Sequence, residues 1–221
     1  MYKARNLRSH RQHAYTPLCL PVFFFLAITL SSCDLFTTRT PDAPDLGSTF
    51  IWTPASTYND LLNNFQGTMQ VLDATNYTKC FFSPKDTALS GDKFTYSFTP
   101  RSGLDASSRS IFDLWNIESE QNFMTKLRNS LVANPRLSVV FTNVQPFLNT
   151  NTATVNANYS VTLPVNSSSS VPDSVSGSMI LQLAYVTTEQ GTKEWRIVGW
   201  SDFAPSSGSG KTFTDLKLLS S

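Results

Sequence analysis

The chain has 221 residues, with 17 Lys+Arg against 16 Asp+Glu, so its length allows one large domain or two small ones. Both histidines, His10 and His13, and four basic residues, Lys3, Arg5, Arg8 and Arg11, fall in the first 32 positions, where no acid occurs; without that segment thirteen basic residues face sixteen acidic ones, a net charge of −3. Such a balance excludes the clustered basic excess that nucleic acid demands, and the loss of both histidines excludes a His-based dyad or a His-ligated metal site.

The N-terminal order is that of an export signal. A basic stretch to Pro17 precedes the apolar run from Leu18 to Leu30, then Ser31, Ser32 and Cys33. The run is shorter than the roughly 20 apolar residues that cross a bilayer, and Pro21 weakens it as a helix. Leu30-Ser31-Ser32-Cys33 resembles the lipobox of bacterial lipoproteins, which implies cleavage before Cys33 and acylation of its thiol. An uncleaved anchor, or an ordinary signal cut near Ser32, is the alternative. Two or more acyl chains would anchor the protein stably, each buried methylene contributing about 0.8 kcal/mol. Residues 33–52 then read as the lipidated cysteine and a flexible tether of Thr, Pro and Asp. Asp34 resembles the inner-membrane retention signal of enteric bacteria, a rule that is not general, so the choice of membrane stays open. With Cys19 in the signal and Cys33 lipidated, Cys80 has no intramolecular partner and reads as a small buried hydrophobe.

A first helix is expected to start at Thr53 as N-cap with Pro54 at its first position, and to bury Tyr58, Leu61, Leu62, Phe65, Met69 and Leu72. Asp73 caps a second helix that carries Tyr77, Cys80 and Phe81 inward until Pro84. Phe94, Tyr96 and Phe98 alternate with Thr95, Ser97 and Thr99 as a half-buried strand, and Ser102 to Ser110 reads as a polar loop. Asn116 caps a third helix, with Glu118 and Glu120 near the positive end of its dipole and a stripe of Ile117, Met124, Leu127 and Leu131 widened by Phe123. From Arg136 the period becomes two. Strands are expected around Leu137–Phe141, Thr152–Leu163 and Met179–Val186 and from Lys193 to Phe203, with polar breaks at Asn166–Asp173 and a turn at Glu189-Gln190-Gly191. Short connections imply an antiparallel meander.

Helices followed by a long curved antiparallel sheet give an α+β cone whose helices cover the concave face. From about Thr53 to Phe203 the sequence resembles the nuclear-transport-factor-2-like (cystatin-like) superfamily. The resemblance is carried by the helix from Pro54 to Leu72, by Asp73-Ala74-Thr75-Asn76-Tyr77, by Trp115-Asn116-Ile117-Glu118-Ser119-Glu120 and by Glu194 to Asp202. More narrowly it resembles uncharacterised bacterial lipoproteins that end in a Thr-Phe-Thr-x-Leu-Lys segment, here Thr212 to Lys217. The resemblance implies a pocket in the mouth of the cone, where enzymes of the superfamily place Asp, Tyr or His. Asp113, Glu118 and Asp202 are the acids close enough to the expected mouth to test; each also reads as a cap, dipole partner or edge charge. Phe98, Phe112, Trp115, Phe141, Tyr159 and Trp200 could line a cavity for an apolar ligand, or simply form the core.

Gly208-Ser209-Gly210-Lys211-Thr212 resembles the end of a phosphate loop, but the position five residues before Gly210 is Pro205 where that loop needs glycine. Asn76-Tyr77-Thr78, Asn158-Tyr159-Ser160 and Asn166-Ser167-Ser168 match a glycosylation triplet that has no meaning in a bacterium lacking the pathway. The expected organisation is therefore a signal (1–32), a lipidated tether (33–52), a cone domain (53–204) and a linker with a docking tail (205–221). The expected function is a lipid-anchored cell-envelope scaffold or binding module for a protein or small apolar ligand, without cofactor or metal. Its polar outer sheet face, Thr152 to Thr162, is available for solvent or a homodimer. The alternative is an isomerase or hydrolyase that uses a pocket carboxylate.

Overall fold

Thr57, not Thr53, starts the first helix. In the computed structural model, which describes residues 50–133, 135–165, 170–205 and 210–219, α1 spans Tyr58–Val71 and opens with a capping box. Thr57 accepts from the Asp60 N–H at 3.1 Å while Asp60 accepts from the Thr57 N–H at 2.9 Å. Two orphan amides are satisfied at once, which Thr53-Pro54 could not achieve. Thr53 is instead held by Asn64, whose amide group bonds both its N–H and its carbonyl. The signal (1–32), Cys33 and the tether up to position 49 lie outside the described residues, as do 166–169 and 206–209.

Asp73 caps α2 (Ala74–Thr78) as expected, accepting from the Asn76 N–H at 3.0 Å. The helix is shorter than expected, yet Tyr77, Cys80 and Phe81 are all buried. Burial pushes the Cys80 thiol up to about 12, so it behaves as the hydrophobe its setting suggests. The polar stretch after Ser102 contains a short helix, α3 (Ala106–Ser110), because Asp105 caps it through the Ser108 N–H at 2.8 Å. Asn116 caps α4 (Ile117–Ser130).

The strands are β1 (Thr87–Ala88), β2 (Ser97–Thr99), β3 (Ser138–Leu148), β4 (Thr152–Thr162), β5 (Ser174–Thr187) and β6 (Lys193–Phe203). They form one sheet in the order β2-β6-β5-β4-β3, with β1 pairing to β5. From β3 to β6 it is the expected antiparallel meander. The sheet as a whole is mixed, because β2 lies parallel to β6, with Phe98 opposite Trp200. The chain between these two strands builds α3, α4 and the other long strands, which is the crossover a parallel pair requires.

Two register shifts shape the sheet. In β3 the pairing with β4 jumps between Thr142 and Gln145, and Asn143 takes φ 53°, a conformation Asn tolerates better than most residues. In β6 the pairing with β5 passes from Gly199 opposite Gln182 to Ile197 opposite Leu183, which leaves Val198 as the extra residue. The bulge reverses the phase of β6. Trp195 and Ile197 before it, and Trp200 and Asp202 after it, all join the face covered by α1 and α4, while Val198 packs with Phe82, Ala184 and Val186 on the opposite face.

Gly177 of β5 is placed by close approach. A Cβ there would lie 2.4 Å from the Phe203 carbonyl oxygen and 2.6 Å from Tyr159 Oη. Gly177→Ala is expected to cost about 1–3 kcal/mol of stability by overpacking, read from the urea midpoint. Ser160→Ala, at an exposed position of the neighbouring β4, should be near neutral in the same measurement.

Candidate functional site

The buried stripe of α4 contains a carboxylate. Glu120 stands three residues after Ile117 and four before Met124, on the face that carries Leu127, and is fully buried. Its Oε1 accepts from Trp115 Nε1 at 2.9 Å and from Tyr96 Oη, and its Oε2 accepts from Tyr77 Oη at 2.9 Å. The fourth donor is the ammonium of Lys217, also fully buried, which pairs with Oε1.

Lys217 comes from α5 (Phe213–Leu218), the segment expected to be a docking tail. This helix packs into the main hydrophobic core through Phe213 and Leu216. Phe213, Leu216 and Lys217 share one side of it by their three- and four-residue spacing, and all are buried. Around the ammonium stand the rings of Phe98 at 3.7 Å, Trp200 at 4.1 Å, Trp115 at 5.3 Å and Phe123 at 5.5 Å. Phe213 packs against Trp200 at 4.9 Å and Tyr159 at 4.6 Å between ring centres.

A second carboxylate holds the start of α5. Asp202, 1% exposed, accepts from Tyr159 Oη at 2.6 Å, from the Thr214 N–H at 2.8 Å and from Thr214 Oγ1 at 2.6 Å. Tyr159 Oη in turn accepts from the Phe213 N–H at 3.1 Å. Nearer the surface, Arg101 donates through Nε and Nη2 to Asp215 at 3.1 and 3.0 Å, a two-point grip.

Burial first, and Glu120 second, raise the Tyr77 and Tyr96 hydroxyls well above their usual range. Burial and Asp202 do the same to Tyr159. Lys217 moves the other way. Burial pushes its ammonium down from 10.5 to about 8, against the pull of Glu120 and Asp202.

The expected site residues separate clearly. Asp113 and Glu118 are exposed, while Asp202 is interior. Asp113 and Asp202 line one open cleft of about 460 Å³ with Arg101, Arg109, Phe98 and Phe112. Of the six aromatics, Phe98, Phe112, Trp115 and Trp200 form one ring cluster, Tyr159 joins it through Phe213, and Phe141 stacks 5.9 Å away on Phe65, itself 5.4 Å from Trp200. What sequence reasoning missed is Glu120 and Lys217. The signal was present in both: each falls on the apolar face of its own helix, where an unpaired charge would be expensive. The inward placement of Tyr77 and Tyr96 is legible in the pattern; the partner of their hydroxyls is not. Among the described residues no group of three metal-ligating side chains occurs, and no helix is long and apolar enough to cross a membrane.

No protein-family model matches the chain, and no curated protein sequence does. Solved structures of similar fold exist. A nuclear transport factor 2-like superfamily protein from Salmonella enterica serovar Typhimurium is 15% identical, over 67% of this chain and 89% of that one, with a TM-score of 0.46. A protein of unknown function with a cystatin-like fold from Nostoc punctiforme is 12% identical over 68% and 90%, with a TM-score of 0.43. A nuclear transport factor 2-like protein from Cytophaga hutchinsonii is 12% identical over 66% and 94%, also at 0.43. The likeness is one of fold alone and assigns no chemistry.

Breaking the buried pair from one side is expected to cost about 3–5 kcal/mol. Glu120→Leu should therefore unfold in urea far earlier than the wild type, and the double variant with Lys217→Met should recover part of the loss, giving a coupling energy from the cycle. Because docked Lys217 binds its proton less tightly than the free side chain, docking releases protons between about pH 8 and pH 10.5 and grows more favourable as pH rises there. The raised tyrosines reverse this above pH 10, where the folded state alone keeps their protons. Urea unfolding between about pH 7 and pH 10 should show the rise in the wild type and not in Lys217→Met.

Proposed function

We infer that the chain is a lipid-anchored protein of the bacterial cell envelope, organised as signal (1–32), lipidated tether (33–52), cone domain (53–204) and C-terminal segment (205–221). Its cone acts as a binding module whose resting form is closed by its own C-terminal helix. One observation carries the module reading: Glu120 and Asp202 are both committed to partners inside the molecule, and the space between them is taken by Phe213, Leu216 and Lys217. A general acid or base must come within hydrogen-bond reach of a substrate proton; Glu120 is not so placed while α5 is docked, and Asp202, though it lines the open cleft, has both oxygens engaged by Tyr159 and Thr214.

The anchor rests on Leu30-Ser31-Ser32-Cys33 behind a basic and an apolar stretch. The polar face of β4, exposed or half-buried from Thr152 to Thr162, suits contact with solvent or with a second copy. The competing reading, an isomerase or hydrolyase, is favoured by the pairing of each carboxylate with tyrosine: Glu120 with Tyr77 and Tyr96, Asp202 with Tyr159. It requires α5 to leave the interior.

The anchor is tested by growing cells on labelled palmitate. The wild type should take up label and stay with the envelope after high-salt washing, whereas Cys33→Ser should lose the label and be released. Label persisting in Cys33→Ser, or none in the wild type, overturns the assignment.

A further inference from the structure

The surroundings of Lys217 are built by the body of the domain. With α5 set aside, Glu120 keeps its three neutral donors, from Tyr77, Tyr96 and Trp115. The rings that face the ammonium come from β2, from β6, from the residue before the α4 cap and from α4 itself. In one of these walls Trp200, 1% exposed, carries an indole N–H with no acceptor among the described residues. A buried carboxylate oriented by three donors and enclosed by aromatic faces is complementary to an organic cation. At neutral pH the guest seen here, Lys217, still holds its proton, since burial lowers its ammonium only to about 8, and a hard metal ion would ask for more oxygen ligands than one carboxylate and two phenols supply.

Lys217 shows what the site accepts. Its ammonium meets the carboxylate and the rings, while Phe213 and Leu216 on the same helix fill the apolar space beside Trp200 and Tyr159. The helix is six residues long; besides Lys217 it is held by Asp202 on Thr214, by Tyr159 on the Phe213 amide and by Arg101 on Asp215, the last partly open to solvent. So short a helix has little stability of its own and is kept by these contacts.

We propose that the cone interior is a binding site for an organic cation, a primary ammonium on an apolar arm, and that α5 is its built-in competitor, with Lys217 in the place of the ligand's ammonium and Phe213 and Leu216 in the place of its arm. This rests on the binding-module reading and names its ligand class; it does not depend on the lipid anchor. A tethered competitor acts at an effective concentration on the order of millimolar, so the free ligand meets a site whose apparent affinity is lowered accordingly. Removing the competitor's charge should expose the intrinsic affinity.

The test uses the full chain. Lys217→Ala removes three methylenes and an ammonium, which n-propylammonium replaces, and the indoles of Trp115 and Trp200 report binding by fluorescence. Propylammonium should bind Lys217→Ala saturably and at least about tenfold tighter than it binds the wild type. 1-Propanol at equal concentration should not saturate, and Glu120→Gln in the Lys217→Ala background should weaken propylammonium at least about tenfold. In the wild type, which needs no variant to fold, n-hexylammonium should speed hydrogen exchange of the Phe213 to Leu218 amides and 1-hexanol should not. Equal action of amine and alcohol, or α5 amides that hexylammonium leaves unmoved, overturns the proposal. Loss of the palmitate label would leave all of these outcomes as they stand.

Discussion

The buried ion pair of Lys217 with Glu120 sets the terms for this molecule. Taking an ammonium and a carboxylate out of water costs several kcal/mol per ion, and their attraction repays this only when the remaining hydrogen-bonding capacity is met. Here it is met on the carboxylate side, with Tyr77, Tyr96, Trp115 and Lys217 all donating to Glu120. On the ammonium side, where further oxygen acceptors are scarce, ring faces supply the negative potential. The pair joins position 120 to position 217, so the C-terminal helix is fixed into the interior by an interaction that its own sequence cannot make.

The rest of the site follows from how the sheet is bent. The Val198 bulge brings Trp200 and Asp202 to the helical face, where they meet Phe98 on β2 and Tyr159 on β4. Gly177 leaves the room that Tyr159 Oη needs to bond Asp202 and receive the Phe213 amide. Asp202 then anchors Thr214 and Arg101 grips Asp215, both in the first turn of α5, and Lys217 reaches Glu120 from its last turn. Backbone irregularity, close approach and charge act in series along a short helix.

Much of the fold could be read from periodicity. The α4 stripe, its Asn116 cap, the Asp73 cap of α2 and the alternation from Ala153 to Leu163 all stand where local pattern places them, because each depends on neighbours within a few residues. The N-cap of α1 was displaced from Thr53 to Thr57 because a reciprocal box with Asp60 satisfies more amides than proline at the first position can. Of the site, the aromatic group and Asp202 were legible. Glu120 looked like a dipole partner and Lys217 like part of a solvated tail, since a charge on an apolar face is interpretable only once its opposite number is known.

By itself the sequence determined the local elements, the aromatic content of the interior and a histidine-free composition beyond residue 32, since these are properties of composition and short-range spacing. The tertiary structure alone decided that β2 runs parallel to β6, that a bulge turns Asp202 inward, and that the chain's own Phe213, Leu216 and Lys217 are buried in the interior. Those outcomes depend on pairings between residues dozens of positions apart, whose energies exist only after the sheet has brought them together.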